Sequence, residues 1–371
     1  MNDLYSIRDT SQLISPGYVI FRDLVHHNIQ RMITIAGDAQ RLRPHCKTHK
    51  TAEILVMERE LGIDKAKCAT FAEAEMAAEA GIQDVFLAYS LVGPNIGRAV
   101  AFVEKFPQVN FMVTADHERP IRELGQAMSA SNTSIGVLLD MDTGQHRTGL
   151  PPGEAAGELY QLITATPGLT PAGLHLYDGH NHQTPYQERH DAVLACWQSV
   201  AELRDTLVAA GHDVPRIVAG GTGSFPCFAS IDDPALELSP GTCVLHDRGY
   251  GEAFPDLDFT PAAVILTRVI SRPTANRVTF DLGYKACASD PPKGNRLYFP
   301  QIPDATEVLQ NEEHLVIETS RADEFQPGDE QFAIPRHVCP TSALHQYAHV
   351  VVDGEVVERW AIASRDRCLT V

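Results

Sequence analysis

The chain has 371 residues, of which 44% are hydrophobic, and this length is typical of two domains with their own cores. A formal net charge of −18 excludes nucleic-acid binding as a main role, because phosphate binding needs clustered cations. No apolar run is long enough to span a membrane, and the first residues lack the apolar core of a secretory signal. Eight cysteines stand singly, with no CxxC pair, which predicts reduced thiols and a cytoplasmic protein.

Strand-like and helical segments alternate along the first 250 residues. The first strand is predicted at 17–22 and the first helix at 24–40. Further strands are predicted at 65–70, 84–89, 110–114, 134–141, 174–177 and 216–219, with helices at 72–80, 94–106, 117–130, 153–166 and 188–210. Seven or eight β–α units of this kind favour an α/β fold, a parallel (β/α)8 barrel of the TIM type, over an open sheet.

The texture changes near residues 246–258, after which strand patterns dominate. They cover 262–270, 277–280, 314–318, 347–352 and 358–362. Asp353-Gly354 predicts the tight turn of a hairpin. We therefore expect a strand in 1–20 that joins the C-terminal part, a barrel over 21–248, and a mostly-β domain over 249–371.

Basic and imidazole side chains are concentrated in Arg43-Pro44-His45-Cys46-Lys47-Thr48-His49-Lys50. In an extended strand, Arg43, His45, Lys47 and His49 would share one face. Such a cationic face is costly to bury without an anion or a covalent partner. A helix is predicted to start at about Thr51, which places Lys47 at a strand end, where α/β folds display catalytic groups. The alternative is a basic edge strand that resists aggregation.

Two glycine-containing loops late in the barrel, 220–224 and 239–242, predict a phosphate site. A phosphate site combined with a strand-end lysine suggests pyridoxal phosphate, whose aldehyde needs a lysine and whose ring accepts electrons. Arg147 ends a strand on a glycine-flanked loop, where it could hold the phenolate oxygen of the cofactor or a substrate carboxylate.

A histidine and a cysteine, His337 and Cys339, stand two residues apart near the end of the chain. On a strand both side chains would point the same way. Imidazole and thiolate suit zinc, with manganese or cobalt as further candidates. Two protein ligands leave positions for water and substrate, as in a catalytic metal site.

Taken together, these motifs resemble the D-threonine aldolase / D-serine dehydratase family, the metal-activated branch of the alanine-racemase-like, fold type III pyridoxal phosphate enzymes. The matching segments run in family order over nearly the whole chain: Arg43–Lys50, Ala72–Glu75, Asp142–Gly149, Gly173–Tyr177, Pro240–Thr242 and His337–Thr341. The resemblance implies an N-terminal barrel that binds the cofactor, a C-terminal β domain that carries the metal site, and a homodimer with active sites near the interface.

The resemblance also implies residue roles. Lys47 would form the Schiff base, with Lys50 as the competing lysine, while Arg147 would lie by the phenolate oxygen and Tyr177 by the ring. The phosphate would be held by Thr222, Gly223, Gly241 and Thr242, and a zinc or manganese ion by His337 and Cys339.

One loop departs from the family pattern. After Tyr177 the chain is about one residue shorter than in the aldolases, so His180 and His182 both qualify as the base for the substrate β-hydroxyl. The segment Asn311–His314 also resembles a family motif near the metal, and the roles of Glu312, Glu313 and His314 stay open.

The expected reaction is retro-aldol cleavage of a D-3-hydroxy amino acid to glycine and an aldehyde, with a divalent metal on the hydroxyl. The alternative is β-elimination of water from D-serine or D-threo-3-hydroxyaspartate, because dehydratase members often carry cysteine where aldolases carry aspartate. A racemase gives no reason for the metal pair, and a vitamin carrier gives none for the second domain. Both lyase reactions use the same lysine, cofactor and metal, so both stay open at this point.

Overall fold

The computed structural model describes residues 4–371. Met1–Asp3 lie outside the described residues. They are the first residues of the segment that is predicted to join the C-terminal part. They also begin the N-terminus that we expect to lack a secretory signal. The chain divides into two compact units. The barrel unit comprises Met32–Lys47, Leu55–Gly241 and Arg367–Val371, and the β unit comprises the residues up to Arg31, Thr48–Ile54 and Thr242–Asp366. The predicted domain limits stay predictions.

Strands and helices alternate as expected up to about residue 240. The strands are β1 (Gly17–Phe21), β2 (Lys65–Cys68), β3 (Asp84–Ser90), β4 (Asn110–Ala115), β5 (Ile135–Met141), β6 (Leu169–Leu176), β7 (Ile217–Ala219), β8 (Leu236–Leu238), β9 (Ala263–Thr274), β10 (Arg277–Phe280), β11 (Leu297–Tyr298), β12 (Thr306–Gln310), β13 (Leu315–Glu318), β14 (Glu330–Pro335), β15 (Tyr347–Val352) and β16 (Glu355–Ala361). The α-helices are α1 (Arg22–Ala36), α2 (Ala52–Glu60), α3 (Phe71–Glu79), α4 (Pro94–Lys105), α5 (Glu118–Ala130), α6 (Glu154–Ala165), α7 (Tyr186–Ala209), α8 (Phe225–Ala229), α9 (Arg248–Ala253) and α10 (Val338–Leu344). Among residues 4–371, no helix combines the length and the apolarity that crossing a bilayer requires.

The barrel unit is built on a parallel sheet of seven strands, β2 to β8, in chain order. The edges of this sheet are bridged by residues 42–45. The N–H of Arg43 donates to the Leu238 carbonyl on β8, and the N–H of Lys67 on β2 donates to the Pro44 carbonyl, each at 2.8 Å. The eighth position of the predicted (β/α)8 barrel is thus held by a short bridging segment instead of a regular strand. The predicted α/β class with a mostly-β C-terminal part is confirmed.

The interior of the barrel is filled by alternate residues of successive strands. A buried cluster is formed by Phe86, Met112, Leu138, Ala172 and Val218, one from each of β3 to β7. The two-residue period of a strand sends these side chains to the same face of the sheet. Each large apolar side chain buried in this way contributes about 1.5–3 kcal/mol to folding.

A charged network occupies the amino ends of the same strands. Arg43 is fully buried and makes ion pairs with Glu237 (2.6 Å) and Asp84 (2.7 Å). Lys65 reaches the other oxygen of Glu237 at 2.9 Å. Burial by itself would raise the pKa of Glu237, but the charges of Arg43 and Lys65 hold it at about 2. The buried arginine is therefore matched by carboxylates, as a structural ion pair requires.

The strand predicted for residues 43–50 is wrong in its second half. The extended part ends at His45, residues 46–49 form a turn, and Lys50 adopts a left-handed φ of 54°. The expected common face of Arg43, His45, Lys47 and His49 therefore does not form. Arg43 belongs to the amino-end network, Lys47 is half-buried on the turn, and His49 is buried with its pKa lowered to about 3 by burial.

The β unit contains a nine-stranded mixed sheet in the order β12-β13-β10-β9-β1-β15-β16, with β14 paired to both β9 and β11. Strand β1 pairs antiparallel with β9 and parallel with β15. At the turn between β15 and β16, Asp353 and Gly354 have φ values of 49° and 75°, which is the conformation of the predicted hairpin turn. The short strands β11, β12 and β14 were not predicted.

Candidate active site

The carboxyl ends of the barrel strands gather most of the predicted cofactor-binding residues. Arg147 lies on the loop after β5, and Tyr177 directly follows β6. Thr222 and Gly223 lie on the loop after β7, and Gly241 follows β8. Because β5 to β8 are neighbouring parallel strands, these residues lie together at the carboxyl end of the sheet. This is the end at which α/β barrels bind their ligands.

The ring of Tyr177 is surrounded by a guanidinium group and two glycines. The Cζ of Arg147 lies 4.9 Å from the ring centroid, within cation–π distance. A Cβ on Gly179 would come within 2.6 Å of the ring, and one on Gly221 within 3.1 Å. Any side chain at Gly179 would therefore displace the ring, and one at Gly221 would crowd it.

The loops after β7 and β8 are joined by a hydrogen bond. Gly220 has a φ of 82°, a conformation that favours glycine, and Thr222 is buried just beyond it. The N–H of Gly241 donates to Thr222 Oγ1 at 3.3 Å. In the described part of the chain, the buried hydroxyl of Ser239 has no hydrogen-bond partner. An unmet buried hydroxyl is costly, and a bound anion could satisfy it. The loops therefore fit a phosphate group.

A second lysine, which the sequence did not single out, lies in the same region. Lys67 is on β2, only 3% exposed, with its Nζ 5.7 Å from the Tyr177 ring centroid. Burial, and next the charge of Lys47, lower the pKa of Lys67 to about 7, although Asp140 and Asp178 act in the opposite direction. A lysine with this pKa can change its charge near neutral pH.

Two buried carboxyl groups near this lysine have polar partners of their own. Asp140 Oδ1 lies 2.7 Å from His175 Nδ1. Asp178 accepts hydrogen bonds from Ser224 Oγ (2.7 Å) and Asn181 Nδ2 (3.1 Å). Burial raises the pKa of Asp178, and these hydrogen bonds oppose the rise. Both acids are therefore built into the protein's own hydrogen-bond network.

The two histidines after Tyr177 have different environments. His180 packs against the Arg147 loop, since a Cβ on Gly144 would lie 2.7 Å from its Nε2. The same nitrogen lies 3.9 Å from Cys196 Sγ. His182 is exposed to solvent.

The predicted metal ligands lie in the β unit, although not on a strand. Strand β14 ends at Pro335, His337 precedes α10, and Cys339 is the second residue of that helix. The prediction that the two side chains share a strand face is therefore wrong, and the start of a helix positions them instead. The Sγ of Cys339 lies 3.2 Å from Thr48 Oγ1 and 3.4 Å from Thr242 Oγ1.

The imidazole of His337 is hydrogen-bonded to a carboxylate and to a thiol. Its Nδ1 lies 2.5 Å from Asp290 Oδ2. Burial would lower the pKa of His337, but Cys339, with which it is hydrogen-bonded, and Asp290 together raise it to about 9. A carboxylate behind a histidine is the usual way to orient a metal-binding imidazole. Among the described residues no group of three His, Cys, Asp or Glu side chains is arranged for a metal. His337 and Cys339 would therefore bind a metal only with water or substrate in the remaining positions.

Comparison with known proteins decides the family. Residues 20–245 match the family described as "Alanine racemase, N-terminal domain", and residues 262–351 match the "Putative serine dehydratase domain". A D-threonine aldolase of Arthrobacter sp is 31% identical over 328 residues, which is 87% of this chain and 85% of the relative. A 3-hydroxy-D-aspartate aldolase of Paracoccus denitrificans (strain Pd 1222) is 27% identical over 97% of this chain and 94% of its own length.

The chain belongs to the D-threonine aldolase / D-serine dehydratase family of alanine-racemase-like proteins. A solved D-threonine aldolase from Filomicrobium marinum superposes with a TM-score of 0.88 at 26% identity, over 96% of each chain. Membership of this family confirms the resemblance that the sequence motifs predicted. The roles of the individual residues stay predictions.

The segment Asn311–His314, which resembles a family motif in sequence, forms the exposed turn between β12 and β13. Lys285 pairs there with Glu312 (2.7 Å) and Glu313 (3.3 Å). The acids are thus engaged with a surface lysine. Sequence reasoning missed Lys67, Asp140 and His175, because a charged residue on a predicted barrel strand carries no signal of whether it faces the interior.

Proposed function

We propose that this protein is a pyridoxal phosphate- and divalent-metal-dependent lyase that acts on D-3-hydroxy amino acids. Its main reaction would be retro-aldol cleavage to glycine and an aldehyde. The observation that carries the proposal is the cluster around Tyr177, where Arg147 and Lys67 approach one aromatic ring at the ligand-binding end of a barrel. Aldolase relatives aligned over most of the chain support the same reaction.

Most of the residues that would hold the cofactor belong to the barrel unit. Lys47 would bind the aldehyde carbon through its Nζ, Arg147 would face the phenolate oxygen, and Tyr177 would line the ring. The phosphate would be held by Thr222, Gly223, Gly241 and Thr242. When bound, pyridoxal phosphate supplies a ring that accepts the electron pair released from the substrate. Two observations support the fit of the cofactor to these residues. The Ser239 hydroxyl has no hydrogen-bond partner among the described residues, and Gly179 and Gly221 border the Tyr177 ring.

The β unit would hold the metal, a zinc or manganese ion, through His337 and Cys339. Such an ion acts as a Lewis acid and lowers the pKa of a bound hydroxyl group. Asp290 would fix the ring orientation of His337 through its bond to Nδ1. Thr48 and Thr242, which contact the Cys339 sulfur, directly follow Lys47 and Gly241 in the sequence.

The proton of the substrate β-hydroxyl would be taken by His182. This histidine is exposed and can approach a substrate without losing protein contacts, whereas His180 is packed between Gly144 and Cys196. His182→Gln should therefore lower kcat, while His180→Gln should mainly disturb the loop. Equal turnover of wild type and His182→Gln, with loss only in His180→Gln, would reverse the assignment.

Product analysis on a panel of D-3-hydroxy amino acids, with and without a chelator, tests the function. Retro-aldol cleavage requires glycine and the matching aldehyde in equal amounts, and it should stop when the metal is removed. A product mixture of 2-oxo acid and ammonia without glycine would reject the aldolase assignment.

The second candidate is D-serine or D-3-hydroxyaspartate dehydration, which gives a 2-oxo acid and ammonia. It is favoured by Cys339, because dehydratase members often carry cysteine at this metal position, and by the match of residues 262–351 to a dehydratase domain. Here Lys47 would remove the Cα proton and the metal would assist the leaving hydroxyl. Formation of 2-oxo acid from D-serine in the presence of zinc is the outcome that this alternative requires.

We further propose a homodimer and a cytoplasmic location. The dimer follows from the family resemblance, and light scattering of the purified protein measures it directly. Free thiols at all eight cysteines support a reducing compartment.

A further inference from the structure

Lys67 is a buried cation without a structural reason to be charged. It lies inside the barrel unit at the third position of β2, 3% exposed, and it forms no ion pair within 4.0 Å among the described residues. Lys65, two residues earlier on the same strand, reaches a carboxylate of the amino-end network. A lysine removed from water without a partner normally loses its proton, or it waits for an anion.

The surroundings of Lys67 hold more cations than available anions. The charged and titratable groups that interact electrostatically with Lys67 come from the 46–49 turn, from β5 and β6, and from the loops after these two strands. They are Lys47, Asp140, Arg147, His175, Tyr177 and Asp178. Asp140 is hydrogen-bonded to His175, and Asp178 to Ser224 and Asn181. Lys47, Lys67 and Arg147 therefore share a region whose two carboxyl groups are already engaged.

The position of Lys67 restricts which anion it can meet. Arg147 and Lys67 approach the same Tyr177 ring, at 4.9 Å and 5.7 Å from its centroid. The phosphate-type loops lie after β7 and β8, and residues 42–45 join β8 to β2, on which Lys67 lies. An anionic oxygen on a flat ring beside Tyr177 would be reached from both cations, and competition with inorganic phosphate tests whether Lys67 acts on the phosphate instead.

We infer that Lys67 is a cofactor-contacting residue whose ammonium, together with Arg147, holds an anionic ring oxygen of the bound cofactor. This inference rests on the proposed function. It assigns Lys67 a binding role that differs from the covalent role of Lys47. It also has a proton consequence, because an anion placed beside a lysine of pKa about 7 raises that pKa. Cofactor binding at pH 8 should therefore be accompanied by proton uptake at Lys67.

The test is calorimetry of pyridoxal phosphate binding to the apo-protein at pH 8, in buffers of different ionisation enthalpy. A Lys47→Arg background removes the proton changes of covalent attachment and keeps the positive charge that lowers the pKa of Lys67. Lys67→Met should weaken binding about tenfold or more, as loss of a charge-assisted hydrogen bond of about 1.5–3 kcal/mol implies. Lys67→Arg should keep the affinity and lose the proton uptake, because a guanidinium stays charged. Lys65→Met, which removes the neighbouring lysine of the amino-end network, should change neither quantity.

Two further outcomes keep this inference separate from the proposed function. If pyridoxal phosphate does not bind the wild type, the proposed function fails. If it binds the wild type and Lys67→Met with the same affinity and the same proton uptake, only the inference on Lys67 is overturned. Circular dichroism checks that Lys67→Met is folded. The inhibition constant of inorganic phosphate against pyridoxal phosphate should be the same in this variant as in the wild type. A loss of phosphate competition would instead place Lys67 at the phosphate and overturn the ring-oxygen assignment.

Discussion

The barrel unit contains two buried cations with opposite surroundings. At the amino ends of the strands, Arg43 is fully buried and pairs with Glu237 and Asp84. Towards the carboxyl ends, Lys67 is nearly as buried, but the cations Lys47 and Arg147 act on it together with Asp140 and Asp178, and it makes no ion pair within 4.0 Å among the described residues. One cation is neutralised by the protein itself, and the other is not.

This difference separates a structural charge from a functional one. A buried cation that is fully matched contributes to the fold and has nothing left to bind. A buried cation among other cations is unfavourable for folding alone, and such sites occur where a ligand supplies the missing charge. We therefore expect changes at the amino ends to alter stability, and changes at the carboxyl ends to alter ligand binding and turnover.

The largest effect should come from the lysine that bonds to the cofactor. Lys47→Ala should lower turnover at least ~10³-fold, because the group that attaches the cofactor is lost. Thermal unfolding should change little, since Lys47 is half-buried on a turn. Steady-state kinetics with D-threonine measure the effect, and Lys50→Ala is the matched control. Full activity of Lys47→Ala would contradict the claim that residues at the carboxyl ends of the strands act in turnover.

Removal of the metal should stop turnover without releasing the cofactor. His337→Ala, or treatment with a chelator, should lower kcat about 10³-fold, because Lewis-acid stabilisation is worth several kcal/mol. The absorbance of the bound cofactor should persist, since its proposed anchors are other residues. His314→Ala, on the exposed turn between β12 and β13, serves as the control and should retain its metal. Unimpaired turnover after chelation would remove the metal from the account.

The matched cation should show its role in stability. Glu237→Gln should lower the free energy of unfolding at pH 7 by about 3 kcal/mol, because it leaves Arg43 with one carboxylate fewer. The folded-state pKa of Glu237 is depressed to about 2, so its stabilisation is present above pH 4.5 and is lost as the pH falls towards 2. Urea unfolding at pH 7 and pH 3 should therefore show a smaller gap between wild type and variant in acid.

The control for this change is an exposed ion pair. Glu324→Gln removes the partner of Arg321 at the surface of the β unit and should leave the urea midpoint unchanged. A larger loss for Glu324→Gln than for Glu237→Gln would contradict the structural role given to the amino-end network.

The smallest expected effect concerns the carboxylate behind the metal ligand. Asp290→Asn should lower the metal affinity about 10–100-fold, because the His337 ring loses the group that orients it. Competition with a chromophoric chelator measures the affinity. Asp304→Asn, which changes a surface acid hydrogen-bonded to Ser320 and Thr319, should leave the affinity unchanged. The assignment of Asp290 fails if the two variants bind metal equally well.

Most of the fold was visible in the sequence because its signals are local. Helices α3 and α7 end close to Gly81 and Gly211, and the strands β3 to β5 are short apolar runs bounded by turn residues. Strand β8 was not predicted, since it is three residues long and its central residue is Glu237, whose charge is matched there by the distant residues Arg43 and Lys65. Pairing between residues far apart in sequence cannot be read from a local pattern.

The positions of the candidate site residues could be predicted only in part, for the same reason. Arg147, Tyr177 and the glycine-containing loops follow strand ends and were found by position and motif. Lys67 was missed because a strand with alternating lysines looks like an exposed edge, and only its place in the barrel shows that it faces inwards. The strand predicted for His337 and Cys339 was wrong because β14 stops at Pro335 and α10 begins within the motif.

The most direct measurement is borohydride reduction of the protein loaded with pyridoxal phosphate, followed by peptide mapping. Reduction fixes the cofactor permanently to whichever amine had bound its aldehyde. The account predicts one pyridoxyl group per chain, on Lys47, and none on Lys50 or Lys67. Label on Lys67, label on Lys50, or no label at all would contradict it.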